Sequence, residues 1–226
     1  MTEHKKWIIA VDGPAGSGKS TVCKALSHHL GWIYLNTGLL YRALAYAALQ
    51  VGLDMKNESA LTHFTSQFHK SFYWDIAEGK LFYEGEDINS HLNSEVMGQH
   101  ASFVGKNAKV RELLLPIQRE LASSAQGSVI LDGRDIGTVV FPQAEWKFFI
   151  TASLEERASR RREQLLARGG LVPSLEDLMQ EISSRDEQDK NRSAAPLLQA
   201  KDAITIDSTG KTLDETLAEI LAVLSL

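Results

Sequence analysis

The sequence holds a single cysteine, Cys23, among 226 residues. One thiol excludes an intramolecular disulfide and any zinc site built on cysteines. Positive charge is also short, since 24 Lys and Arg against 29 Asp and Glu leave a net charge of −5. A general affinity for nucleic acid or for anionic membranes needs the opposite balance, so neither partner is expected. No apolar run reaches the length of a membrane span, and the stretch 7–11 is too short for the central region of a signal peptide. The chain therefore reads as soluble and cytoplasmic. There is no internal repeat and no low-complexity tract. The histidines His28, His29, His63, His69, His91 and His100 form no ligand-spaced cluster. Also missing are an N/T-K-x-D element for guanine and an L-S-G-G-Q stretch, which weakens a GTPase switch and a transporter ATPase as readings.

What is present reads as one α/β unit. With 43% hydrophobic residues the chain can bury a sizeable core. Residues 7–11 are a short continuous apolar run, as expected of a parallel strand buried on both faces. A helix is predicted over 20–30, with Val22, Leu26 and Leu30 on one side. Further strands are predicted at 32–35, 128–131 (ending in Asp132), 146–150 and 203–206 (ending in Asp207). Asn36-Thr37-Gly38 reads as a turn before a helix over 39–50. Strands alternating with helices imply a parallel sheet with helices on both faces. One stretch departs from that rhythm: 72–76, a turn at 77–80 and 81–83 read as an antiparallel hairpin, with 84–87 leading into a third short strand. The last helix opens on a capping box, Thr212 with Glu215. Leu213, Leu217, Ile220, Leu221 and Leu224 then share one face and read as core.

Between the first strand and the first helix stands Gly13-Pro14-Ala15-Gly16-Ser17-Gly18-Lys19-Ser20, a full match to the phosphate loop G-x-x-x-x-G-K-[ST]. Its glycines let backbone N–H groups turn inward around the β-phosphate of ATP, and the helix N-terminus adds positive potential. Lys19 then bridges the β- and γ-phosphates, and Ser20 offers its hydroxyl to Mg²⁺. Asp132, at a strand end, occupies the place of a second carboxylate near that metal.

An ATP user needs an acceptor. An alcohol calls for a positioned carboxylate base, whereas a phosphate monoester is already ionised near neutral pH and calls for arginines. The arginines are there. Arg42 lies one turn after Thr37-Gly38, and Arg134 with Asp135 follows Asp132 at a strand's carboxyl end, where open α/β sheets bind ligands. Arg157, Arg160, Arg161 and Arg168 fall on one helical face, and Arg185, Asp189 and Arg192 share another. Like charges at such spacing repel unless an anion visits, and Gly169-Gly170 offers a hinge for a mobile lid.

Four segments together resemble bacterial cytidylate kinases, over essentially the whole chain: Asp12-Gly13-Pro14-Ala15-Gly16-Ser17-Gly18-Lys19-Ser20-Thr21; Asn36-Thr37-Gly38-Leu39-Leu40-Tyr41-Arg42; Asp132-Gly133-Arg134-Asp135-Ile136-Gly137-Thr138-Val139-Val140-Phe141-Pro142; and Arg185-Asp186-Glu187-Gln188-Asp189-Lys190-Asn191-Arg192. The resemblance implies a P-loop nucleoside monophosphate kinase fold, a five-stranded parallel sheet flanked by helices, with a β-hairpin insert and a helical lid. The core would span about 5–62, 96–154 and 172–226, the monophosphate-binding insert about 63–95 and the lid about 155–171. It implies transfer of the γ-phosphate of ATP to CMP and dCMP with Mg²⁺, by a cytoplasmic monomer.

It also implies roles. Gly13 to Thr21 would bind ATP, Arg42, Arg134 and Arg192 would hold the acceptor phosphate, and Thr37 would meet the substrate through its hydroxyl. Arg185 and Asp189 would face the ribose. Ser102, Arg111 and Asp135 would read the base, Asp135 accepting from N4 of cytosine while Arg111 donates to N3 or O2. Arg157 and Arg161 would close over ATP and join Lys19, Arg134 and Arg192 in catalysis. Asn36 stands where the family usually has Asp, removing a charge, and Gln188 and Lys190 replace frequent arginines. Kinases for UMP, AMP or shikimate are the rival enzymes. UMP would set its O4 acceptor against the Asp135 carboxylate.

Overall fold

Ile9, Ala10 and Val11 are wholly buried, because their strand lies in the middle of a sheet covered on both faces. The structure, a computed structural model, describes residues 6–169, apart from the Arg168 side chain, and 172–224. The elements begin with β1 (Ile8–Asp12), α1 (Lys19–Leu30), β2 (Ile33–Asn36), α2 (Thr37–Gln50) and α3 (Glu58–Phe68). A small antiparallel sheet follows, β3 (Phe72–Asp75), β4 (Lys80–Tyr83) and β5 (Glu86–Asp87), then α4 (Asn89–Leu92), α5 (Glu95–Val104) and α6 (Ala108–Ser124). The chain continues through β6 (Val129–Asp132), a π-helical turn (Ile136–Val140), β7 (Trp146–Thr151), α7 (Leu154–Arg168), α8 (Leu175–Asn191), β8 (Ile204–Asp207) and α9 (Leu213–Leu224).

Among the described residues the main sheet has five strands, all parallel, in the order β2-β6-β1-β7-β8. Val11 pairs with Asp132 and Asn36 with Asp132 in register. The carboxyl ends of β1, β2 and β6 therefore open onto one edge, and the chain changes direction across the sheet at β1, the place where such sheets bind ligands. Gly13 makes the exit from β1 possible. Its φ is 146°, and a Cβ there would run into the Ile150 carbonyl of β7.

The strands fall where periodicity predicts them, within a residue at each end, and the third short strand of the small sheet is present as β5. The turn predicted at 36–38 is absent. Asn36 is the last residue of β2 and also the N-cap of α2, with extended backbone (φ −83°, ψ 97°), so strand passes into helix without an intervening loop. Several later helices carry conventional caps. The side chains of Asn107, Ser153 and Ser174 accept N–H groups at the starts of α6, α7 and α8. The Thr212–Glu215 box closes in both directions, at 2.8 and 3.2 Å.

Each face of the sheet has its own core. Leu40, Leu44, Leu61, Leu114 and Leu131 pack on one side together with Trp74, Leu81 and Tyr83 of the small sheet. Val22, Leu26, Phe148 and Ile220 pack on the other. Ala158, Leu178 and Ile182 form a third, separate cluster joining α7 to α8. The leucine face of α9 is core only in part: Ile220 and Leu224 are buried, but Leu213 is 40% exposed and lines the cleft described below. No helix among the described residues is long and apolar enough to cross a membrane. Met1 to Lys5 and Gly170, half of the expected hinge, lie outside the described residues.

Leu44 is wholly buried where α2 meets the sheet and the small sheet. Leu44→Ala is expected to cost about 3 kcal/mol, read as a lower urea midpoint with an unchanged slope.

Candidate active site

The edge formed by the ends of β1, β2 and β6 carries a cleft of about 600 Å³. On one side lies the phosphate loop, whose residues Ala15 to Thr21 line it, while Gly13 and Pro14 do not. Lys19 is buried (5% exposed), and its Nζ donates to the Pro14 carbonyl at 2.6 Å. Burial, followed by the Arg134 charge, lowers its pKa to about 7. Beside it, Ser20 Oγ donates to Asp132 Oδ2 at 2.6 Å, and Tyr34 Oη donates to Asp132 Oδ1 at 3.0 Å. Burial pushes the Asp132 carboxyl up despite those hydrogen bonds. A hydroxyl and a carboxylate side by side are the hard oxygen donors that Mg²⁺ takes. No group of three or more His, Cys, Asp or Glu gathers there or elsewhere among the described residues. Such a site suits an ion that keeps water and nucleotide oxygens in most of its shell.

The far side of the cleft is built from α2, α5, α6, α8 and the segment following β6. Thr37 Oγ1 donates to the Asp132 carbonyl at 2.9 Å, and Arg42 Nη1 donates to the Leu92 and Ser94 carbonyls at 2.6 and 3.0 Å. Arg111 pairs with Asp135 at 2.6 Å while stacking over Tyr41, its guanidinium 5.2 Å from the ring centre. Arg134 donates to Asp189 at 2.8 Å. Arg192 lies 3.5 Å from Asp189 and 3.6 Å from Asp135. Burial tends to raise Asp189, but Arg134 and Arg192 hold its carboxyl below the usual range. Arg185 is pulled down by burial and then by Arg134.

Five buried polar atoms here find no hydrogen-bond partner among the described residues: Tyr41 Oη, Ser102 Oγ, Arg111 Nε, Arg185 Nε and Arg192 Nη2. All five residues line the cleft. Stranded buried polar atoms are rare in folded proteins, and five around one cavity mark the seat of a polar ligand.

Thr37, Arg42, Ser102, Arg111, Asp132, Arg134, Asp135, Arg161, Arg185, Asp189 and Arg192 thus all line this one cleft, although they are spread from residue 37 to 192. Arg157 does not join them. It is buried against the back of the phosphate loop, donating to the Ala15 carbonyl at 3.0 Å and to Asp186 at 2.5 Å. The repulsion expected along α7 is relieved by carboxylates: Asp186 for Arg157, Glu156 for Arg160 and Glu95 for Arg161. The Arg168 side chain, counted with the same face, lies outside the described residues.

Sequence reasoning missed several lining residues. Arg160, counted on the arginine face but given no role of its own, donates to the Ser208 carbonyl at 2.6 Å, and Ser208, Lys211 and Thr212 line the cleft with it. Tyr41 and Asn36 also line it; both sit in a motif but carry no chemical signal of their own.

Residues 9–225 match the family model described as cytidylate kinase. The chain belongs to the cytidylate kinase family. A protein named cytidylate kinase from Aeromonas salmonicida (strain A449) is 44% identical over 215 residues, covering 95% of this chain and 92% of its own length. The proteins of that name from Vibrio cholerae serotype O1 and Geobacillus thermodenitrificans (strain NG80-2) are 45% and 44% identical, each across 98% of this chain and across 96% and 98% of their own lengths. Among solved structures, an uncharacterized protein from Eubacterium ventriosum ATCC 27560 superposes with a TM-score of 0.52 at 12% identity, over 97% of this chain and 99% of that one. At that identity the likeness speaks to the fold alone. The Asn36 side chain sits beside the Ser20–Asp132 pair, its Nδ2 donating to Ser20 Oγ at 3.4 Å. Ser20, Tyr34 and Asn36 thus place two hydroxyls and an amide around the Asp132 carboxylate.

A triphosphate beside Lys19 would restore its charge, so ATP binding should take up a proton at pH values above about 7. Affinity for ATP is therefore expected to fall as pH rises from about 7 to about 9, by up to about tenfold per unit. Calorimetric titration in buffers of different ionisation enthalpy measures the uptake. Lys19→Met, though weaker overall, should lose the slope.

Proposed function

We propose that this protein transfers the γ-phosphoryl group of ATP to CMP, and to dCMP, giving CDP or dCDP and ADP. What carries the choice of acceptor is the Arg111–Asp135 pair, both residues less than a tenth exposed, on the side of the cleft away from the phosphate loop. Cytosine presents an amino donor at N4 beside acceptors at N3 and O2. Asp135 accepts the first and Arg111 donates to the others, with Ser102 Oγ supplying a further polar contact. Uracil would set its O4 against the Asp135 carboxylate, and a buried polar mismatch of that kind discriminates strongly. Adenine would need a longer cavity along the same line.

In this reading Arg42, Arg134 and Arg192 hold the acceptor phosphate, and Arg185 with Asp189 meets the ribose. The phosphate loop from Gly13 to Thr21 holds ATP, with the donor base toward Arg160, Ser208 and Lys211. No general base is required, because a phosphate monoester whose second pKa is about 6 is already a dianion at neutral pH. The barrier is electrostatic, and Lys19, Arg134, Arg161 and Arg192 answer it by preorganised charge. Arg157 contributes by holding the loop at Ala15 rather than by touching the phosphoryl group. The Ser20 hydroxyl, with Asp132 beside it, would hold Mg²⁺, which would supply neutralisation of phosphate charge when bound.

Residues of about 63–95 serve as the monophosphate-binding insert and about 155–171 as a lid. The α7–α8 cluster would fasten that lid to the core, and the Arg161–Glu95 pair would link it to the end of the insert. The same reading makes the protein a cytoplasmic monomer acting on free nucleotides, in keeping with its net charge of −5.

With ATP and Mg²⁺ the protein is expected to phosphorylate CMP far faster than UMP, AMP or shikimate in a coupled ADP-release assay. Equal rates for CMP and AMP, or no acceptor-dependent turnover, would sink the proposal. Asp135→Ala should lower kcat/KM for CMP by about a hundredfold while leaving the Kd for ATP within about threefold. An equal loss on both substrates would remove Asp135 from base recognition.

A further inference from the structure

Asp12 ends β1, directly before the phosphate loop, yet it does not line the cleft. Its side chain turns toward the segment after β6 instead. It is buried (4% exposed), and its two carboxylate oxygens accept the backbone N–H groups of Ile136 and Gly137, each at 2.8 Å. Those are the leading donors of the π-helical turn. The turn's own bonds run from the Val139 and Val140 N–H groups to the Asp135 carbonyl and from Phe141 N–H to the Ile136 carbonyl. Its first amides therefore have no acceptor within it, as at any helix start. One residue earlier in β1, the Val11 carbonyl accepts the Gly133 N–H at 3.0 Å.

The end of β1 thus grips this segment at 133 and again at 136–137, and the two residues between the grips are Arg134 and Asp135. The far end of the turn is held by other groups. Arg119 donates to the Val140 and Val139 carbonyls at 2.9 and 3.1 Å, and Lys147 donates to the Pro142 carbonyl at 2.7 Å. Only the leading end, next to Asp135, depends on Asp12.

We propose that Asp12 is a positioning residue for the acceptor nucleotide, fixing Asp135 and Arg134 through the two amides that follow them. This rests on the reading above that Asp135 and Arg134 face the acceptor. A carboxylate suits the task because it offers two acceptors to two donors. An asparagine keeps one and turns its own NH₂ toward the other N–H. The proposal runs against the position of Asp12 in the chain: a merely structural residue next to the phosphate loop would disturb ATP first.

The test compares the Kd for ATP, measured without CMP, with the KM for CMP in Asp12→Asn and in Gly137→Ala. The second variant leaves Asp12 intact and crowds the leading end of the turn that Asp12 holds, since its Cβ would press on the Lys147 side chain, 3.1 Å from Cδ, while meeting Asp12 Oδ2 at an ordinary contact distance of 3.4 Å. Asp12→Asn should raise the KM for CMP by about tenfold and narrow the preference for CMP over UMP, with the Kd for ATP unchanged within about twofold. Gly137→Ala should show the same split at a smaller size, and it decides alone if Asp12→Asn does not fold. A Kd for ATP that rises as much as the KM for CMP, or a KM for CMP that does not move, overturns the proposal. Absence of CMP turnover in the unaltered protein overturns the acceptor reading itself, and the role of Asp12 with it, whatever the variants do.

Discussion

The cleft crowds cations that nothing but anions can hold together. Lys19, Arg111, Arg134, Arg185 and Arg192 line one cavity of about 600 Å³, and in three of them a neighbouring cation adds to burial in lowering the pKa. Lys19 and Arg185 are lowered by burial and then by Arg134, and Arg192 by burial and then by Arg111. Without ligand, Asp132, Asp135 and Asp189 supply the compensating charge. Removing a cation from such a network strands a buried carboxylate, and removing a carboxylate strands a cation, so either change costs more than the contact itself is worth. An arriving nucleotide phosphate replaces part of that internal compensation with its own charge.

That constraint explains why the site sits where it does. Fixed charges so close together need a rigid frame, and the frame is the carboxyl edge of the five-stranded sheet. β1 delivers the phosphate loop, β6 delivers Asp132 to Asp135, and β2 runs straight into α2 so that Thr37 meets the Asp132 carbonyl. The arginines come from helices laid over that edge. β1 serves both sides of the cleft, since the backbone that follows it forms the phosphate loop and its Asp12 side chain holds the segment after β6.

Membership of the cytidylate kinase family, with relatives matched at 44–45% identity over nearly the whole chain, accounts for most of this arrangement. At the foot of the phosphate loop, Ser20, Tyr34 and Asn36 are drawn into one hydrogen-bonded group around Asp132.

Much of this was legible in the chain because the features are contiguous. An apolar run, a glycine-rich loop and a helix follow one another within the first thirty residues, so strand, phosphate site and cap are set by neighbouring residues. The Thr212–Glu215 box and the hairpin at 72–83 are of the same kind. The arginines could be counted, and their family motif places them, but their partners could not be read. Arg134 meets Asp189 fifty-five positions away. Asp12 meets Ile136 across 124 positions, and Arg157 turns behind the phosphate loop to reach Ala15 and Asp186 instead of facing the cleft. Helical spacing says which residues share a face but not what that face is packed against. Local backbone geometry and apolar period were therefore determined by the sequence itself, whereas the pairing of charges was decided by strand order and helix packing, which alone fix the distances over which buried charges act.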